Sequence, residues 1–217
     1  MIISVPYPMK NKFVVALCSS AGGLDPLKSF FDSTPHDQAT YIILRHVPVE
    51  HQSVLHEILQ KHSKLTIKEA EDNVVIEKDF IYIPPPSTYL RIENDTLFLD
   101  KRLKDSLFPN KIADIFLKSL AAEKGKNSIA VIFSGGGSDG SRGATLIKQA
   151  GGMVIAQQPT SCEYAYMPSN AIKTGKVDYV LLPAEMPKII LHHANEVLKV
   201  TNEVRNLKKV GSKHVSQ

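Results

Sequence analysis

Apolar residues along this chain gather into short, nearly unbroken runs, separated by stretches in which they recur at helical spacing. Phe13-Val14-Val15-Ala16-Leu17 is the first run. It has no polar alternation, as expected of a strand buried on both faces. Ser19-Ser20-Ala21-Gly22-Gly23 then supplies turn chemistry, and a helix is predicted from Leu24 to Asp32, with Pro26 accommodated in its first turn. Tyr41-Ile42-Ile43-Leu44 reads as a second buried strand, and 52–61 places Val54, Leu55, Ile58 and Leu59 on one helical face.

The middle of the chain changes character. Leu65–Lys68 and Phe80–Ile83 read as strands, and Tyr89–Ile92 and Thr96–Leu99 flank Glu93-Asn94-Asp95, a hairpin signature. Alternation then resumes with a helix over Lys111–Glu123, the strand Ser128–Phe133, a glycine-rich loop and a helix to Ala150. The strand Met153–Ala156, a strand near Val177–Leu182 and a helix from Ala184 follow. This order predicts an α/β fold: a mainly parallel, doubly wound sheet with helices on both faces and an antiparallel hairpin at one edge. The predicted organisation is an N-terminal extension (1–12), one α/β domain (13–198) and a basic polar tail or linker (199–217). In such sheets ligands bind beyond the carboxyl ends of the strands. That rule selects the loops after Leu17, Leu44 and Phe133.

Composition narrows the function classes. The chain has 217 residues, 43% hydrophobic and 22% charged, with a net charge of +4. The surplus lies in the tail, where residues 199–217 hold five bases and one acid, leaving 21 of each in residues 1–198. A neutral body does not describe a protein built to neutralise phosphates, so nucleic acid is not expected as a partner. Two cysteines, Cys18 and Cys162, can make neither a disulfide framework nor a four-thiolate zinc site, and a reducing cytoplasm is the expected setting. No apolar run reaches the roughly 18–20 residues needed to cross a bilayer, and no membrane insertion is expected.

The three selected loops carry Ser20, His46 and Asp139, the residue types of a nucleophile, a general base and the acid that orients it. Serine is a poor nucleophile near neutral pH unless an imidazole takes its proton. At a strand-to-helix turn rich in glycine, backbone N–H groups can face a developing oxyanion. Each residue also has a plainer reading: a helix cap for Ser20, a structural strand-end histidine for His46, and a turn or N-cap before the next helix for Asp139. Cys18 reads as a small residue ending a buried strand. A rival is the dinucleotide fingerprint Gly135-x-Gly137-x-x-Gly140, which follows a strand and opens a helix. Against it, the next strand ends in Gln157-Gln158, where an acid should meet the ribose. A non-catalytic nucleotide- or receptor-binding α/β module is therefore the alternative to an enzyme.

Taken together, these motifs resemble the catalytic domain of the chemotaxis protein-glutamate methylesterases (CheB). The resemblance rests on Cys18-Ser19-Ser20-Ala21-Gly22-Gly23, Leu44-Arg45-His46-Val47-Pro48, Glu69-Ala70-Glu71-Asp72 before Ile81-Tyr82-Ile83-Pro84, Gly135–Gly140, Ala150-Gly151-Gly152 and Tyr164-x-x-Met167-Pro168. It implies Ser20 as nucleophile, His46 as general base, Asp139 as its partner, and the backbone N–H groups of Ala21 and Gly136 as the oxyanion hole. It implies hydrolysis of glutamate methyl esters on the cytoplasmic helices of chemoreceptors, with glutamine deamidation in some members, and no cofactor or metal. It also implies a receiver domain or a receptor methyltransferase as partner, in cis or in trans. The chain departs from the family pattern at Cys18, at Gly136, where a bulkier residue is common, and at Asn73, where glycine is frequent.

Overall fold

The computed structural model describes residues 13–45, 52–101 and 111–213. The first half of the chain forms β1 (Val14–Ser19), α1 (Leu24–Asp32), β2 (Thr40–Arg45), α2 (Gln52–His62), β3 (Thr66–Glu69), β4 (Val74–Val75), β5 (Phe80–Ile83), β6 (Thr88–Glu93) and β7 (Thr96–Lys101). The second half forms α3 (Ile112–Lys124), β8 (Ser128–Ile132), α4 (Ser141–Gln149), β9 (Met153–Gln157), α5 (Tyr166–Lys173), β10 (Tyr179–Leu181) and α6 (Met186–Lys213). Seven strands make one sheet in the order β10-β9-β8-β1-β2-β5-β3, and every pairing in it is parallel.

The unbroken apolar runs are the central strands because both of their faces are covered. Val15 and Leu17 of β1 point into a core shared with Leu27, Phe30 and Phe31 of α1, Leu55 and Leu59 of α2, and Met186 and Ile190 of α6. Val14, Ala16 and Cys18 point to the opposite core, shared with Phe116 and Leu120 of α3, Ile147 of α4, and Met167 and Ala171 of α5. All of these are nearly inaccessible to solvent.

The hairpin is present, but it stands apart from the edge of the main sheet. β6 and β7 pair antiparallel and join β4 in a three-stranded sheet of their own. Asn94 and Asp95 both take positive φ at its turn, the conformation that lets a tight turn match strand twist. The sheet is fastened to α3: Ile92 N–H donates to Ser119 Oγ at 3.1 Å, Asp95 N–H donates to Glu123 Oε1 at 3.3 Å, and the buried Lys124 ammonium pairs with the Asp95 carboxylate. The closing helix α6 continues to Lys213, so residues 199–213 of the expected tail are helical. The extension 1–12 lies outside the described residues. No helix among the described residues is long and apolar enough to cross a membrane.

Two features of this fold create the site. β1 lies between β2 and β8, and the chain leaves β1 for α1 on one face but leaves β8 for α4 on the other. The carboxyl ends of β1 and β8 therefore mark a switch point, the place where α/β sheets bind ligands. The second feature is the close approach of α3 to α4 at Gly143, where an added Cβ would lie 2.5 Å from Leu117 Cβ. Helix propensity alone makes Gly143→Ala stabilising by about 1 kcal/mol. Overpacking against Leu117 costs about 1–3 kcal/mol, so the expected outcome is a lower thermal midpoint, read by calorimetry; a raised midpoint would show that the two helices separate freely.

Candidate active site

Ser19 and Ser20 are adjacent but not equivalent. Ser19 ends β1 with its side chain in the core, 2% exposed, and its hydroxyl has no hydrogen-bond partner among the described residues. Ser20 is partly exposed. Its N–H donates to Ser134 O at 3.0 Å, and its carbonyl accepts from Gly23 N–H at 3.1 Å. The first bond ties the loop after β1 to the loop after β8; the second closes the turn into α1. Gly22 takes φ +68° here, and a Cβ on it would meet Glu163 at 2.7 Å and Ser134 Oγ at 2.8 Å, so only glycine fits this turn.

Ser134 is the joint between these loops. Its carbonyl holds Ser20, its hydroxyl lies 3.0 Å from the Ala21 carbonyl, to which it donates, and the same oxygen accepts from Tyr164 N–H at 3.1 Å. Its own N–H donates to the buried side chain of Gln157 at 2.9 Å, while Gln157 Nε2 donates to Ser161 O and Oγ, both at 3.1 Å. Gly135 then passes so close to the first loop that a Cβ would collide with the Met167 sulfur and lie 2.9 Å from Ser20 Cβ. The segment that carries Met167 grips this strand-end loop from outside. Gly135 N–H donates to Tyr164 O and Met167 N–H to Gly135 O, both at 2.9 Å, and Asn170 Nδ2 donates to Gly137 O at 2.8 Å. Tyr164 and Tyr166 stand exposed on this rim.

Ala21 and Gly136 lie on the two loops that Ser134 joins, and both are exposed. Among the described residues, neither backbone N–H has an intramolecular acceptor. A Cβ on Gly136 would meet nothing within 4 Å, so crowding does not explain the glycine there.

Asp139 is 5% exposed, and its carboxylate is organised by backbone donors. Oδ2 accepts from Ala113 N–H, and Oδ1 accepts from Asp114 and Gly140 N–H, each at 3.0 Å. The plain reading of Asp139 as the cap of the following helix does not hold: α4 has Gly140 at its N-cap and no side-chain cap. Asp139 instead takes the free N–H groups of the first turn of α3, a helix earlier in the chain, and its charge faces the positive end of that helix. His46 lies outside the described residues; it follows in sequence Arg45, the last residue of β2, a strand that pairs with β1 in register Cys18↔Leu44 and Ser19↔Arg45. Arg45 is half-buried, and desolvation lowers its pKa.

Neither cysteine thiol is activated by its surroundings. Burial, then the negative charges of Asp139 and Asp114, push the Cys18 thiol well above its ordinary range. Burial pushes Cys162 up to about 11. The dinucleotide reading fares poorly for a physical reason. Gly135 is used for the approach of Met167 and Ser20, and Gly143 N–H at the start of α4 already donates to the Asp114 carboxylate, at 2.8 Å. The donors that a pyrophosphate needs are thus occupied by carboxylates. Among the described residues, no cluster of His, Cys, Asp and Glu could hold a metal ion.

Ser134 and Gln157 were not singled out as site residues in the sequence. The available signal was a glutamine ending an otherwise apolar, buried strand, a position where a polar side chain must find partners. Gln157→Leu leaves the buried Ser134 N–H without an acceptor. It is expected to lower stability by about 1–3 kcal/mol in urea denaturation; a neutral or stabilising result would show that the two loops do not need this joint.

Comparison with known proteins places these observations in a family. The CheB methylesterase family model matches residues 15–190. The chain is 27% identical over 191 residues to a protein-glutamate methylesterase/protein-glutamine glutaminase of Methanococcus maripaludis, covering 86% of this chain and 52% of the relative. It is 31% identical over 171 residues to the second protein of that name in Xanthomonas oryzae pv. oryzae, covering 77% of this chain and 48% of the relative. This chain therefore spans about half the length of both. The crystal structure of the Thermotoga maritima CheB methylesterase catalytic domain superposes with a TM-score of 0.76 at 31% identity, covering 83% of this chain and 98% of that one.

Proposed function

The chain belongs to the CheB methylesterase family, and from that premise we propose that it hydrolyses glutamate methyl esters on chemoreceptors in the cytoplasm, with Ser20, His46 and Asp139 as its triad. Ser20 Oγ attacks the side-chain ester carbonyl while His46 takes its proton. The resulting oxyanion is received by the Ala21 and Gly136 N–H groups. The tetrahedral intermediate collapses, and His46 returns the proton to the departing methoxide, releasing methanol. Water, deprotonated by His46, then cleaves the acyl-Ser20 ester and leaves free glutamate. A glutamine side chain follows the same course with ammonia as the leaving group. A receiver domain or receptor methyltransferase, in cis or in trans, is the proposed regulatory partner.

The observation that carries this reading is a pair of N–H groups, Ala21 and Gly136, with no acceptor among the described residues, on the two loops whose separation Gly135 holds to the limit at Ser20. Preorganised donors of this kind supply one of the largest single contributions to acyl transfer. The buried Asp139 carboxylate supports it further, since a carboxylate fixed by three backbone donors can orient an imidazole without moving.

Ser20→Ala is expected to lower methanol release from a methylated receptor fragment by about 10⁴–10⁶-fold, with the far-ultraviolet circular dichroism unchanged. Asp139→Asn is expected to lower kcat by about 10⁴-fold with little change in KM. Because the same substitution weakens the cap on α3 by about 1 kcal/mol, both variants are assayed well below their unfolding midpoints. Wild-type turnover in Ser20→Ala overturns the assignment.

A further inference from the structure

Next to Asp139, at its neighbour Ser138, α3 and α4 enclose an open groove of about 450 Å³. Its polar wall carries Lys111, Lys118 and Arg142, against one acid, Asp114. Asp114 is already committed: it accepts from Gly143 N–H at 2.8 Å and lies 3.7 Å from Lys111 Nζ. Lys118 and Arg142 are exposed and make no ion pair with any described residue. Ser141 Oγ, also in the groove wall, is buried without a hydrogen-bond partner among the described residues. The remaining wall, Ile115 and Leu146, is aliphatic. Residues 1–198 carry no net charge, so this surplus of cations is local.

We infer that this groove binds free carboxylate side chains of an acidic polypeptide substrate, holding the segment that flanks the ester. The inference rests on the esterase reading, which explains why such a substrate is rich in carboxylates: every turnover converts a neutral ester into one. Ile115 and Leu146 suit the methylene stems of glutamate, and Lys118 and Arg142 suit its head. A single-stranded nucleic acid finds no aromatic side chain in the groove on which to stack.

The test is fluorescence anisotropy of a labelled, glutamate-rich helical peptide of about 20 residues, long enough to hold helical structure, against its glutamine counterpart. Wild-type protein is expected to bind the glutamate peptide more tightly, with affinity falling as salt rises. Lys118→Glu/Arg142→Glu is expected to weaken that binding by about tenfold or more, each exposed pair contributing up to about fivefold. The same variant should bind a lysine-rich peptide better than wild type does, a gain that an unfolded protein could not give. Unchanged affinity in the variant, no preference for glutamate over glutamine, or tighter binding of a single-stranded oligonucleotide overturns the inference. The assay reads no hydrolysis, so its failure leaves the esterase standing, and failure of the Ser20 test leaves this groove standing.

Discussion

The carboxylate of Asp139 accepts three backbone N–H groups, two from the first turn of α3 and one from Gly140. Much of the architecture follows from that arrangement. A helix start needs acceptors for its first N–H groups, and here they come from the loop of a strand, β8, that follows the helix in sequence. Helix α3 is thereby fixed against the carboxyl end of the sheet, and the small three-stranded sheet rides on α3 through Ser119, Glu123 and Lys124. The same bonds hold a negative charge in a nearly solvent-free place where its direction cannot wander. Stability and proposed chemistry thus draw on one group.

The loop after β1 is held by a different device. Ser134 uses its N–H, carbonyl and hydroxyl to join that loop, the Gln157 side chain and the segment around Tyr164. Gly135 brings the two backbones closer than any side chain would permit. The two loops thus meet at the switch point, with Ser20 partly exposed and the Ala21 and Gly136 N–H groups without an acceptor among the described residues. Ser19, beside Ser20, is turned into the core by nothing more than strand alternation. A one-residue slip of β1 would exchange them and lose the site.

Much of this was legible in the sequence, because the apolar runs were long enough to mark buried strands and the strand-end rule then pointed to three loops. Ser20, Ala21, Gly136 and Asp139 all lie where that rule sends them. What stayed hidden depended on contacts distant in sequence. Asp139 sits immediately before a helix and reads as its cap, yet it serves α3, whose first turn lies 25 residues or more before it. Gln157 read only as a missing ribose ligand, because its partners Ser134 and Ser161 come from other loops. The hairpin was legible from Asn94 and Asp95, but its separate sheet depends on α3 packing that no local pattern announces. Helix α6 runs on to Lys213, through polar, weakly periodic residues that read as a frayed helix and tail.

In the proposed triad Ser20 and Asp139, on separate loops, act as one unit. A double-mutant cycle on kcat/KM for methyl-ester hydrolysis measures this most directly, comparing Ser20→Ala, Asp139→Asn and the double variant at a temperature where all are folded. Members of a catalytic unit are grossly non-additive, so the double variant is expected to be no less active than Ser20→Ala alone. Losses that multiply, with the double variant falling by the product of the two single effects, would contradict the account.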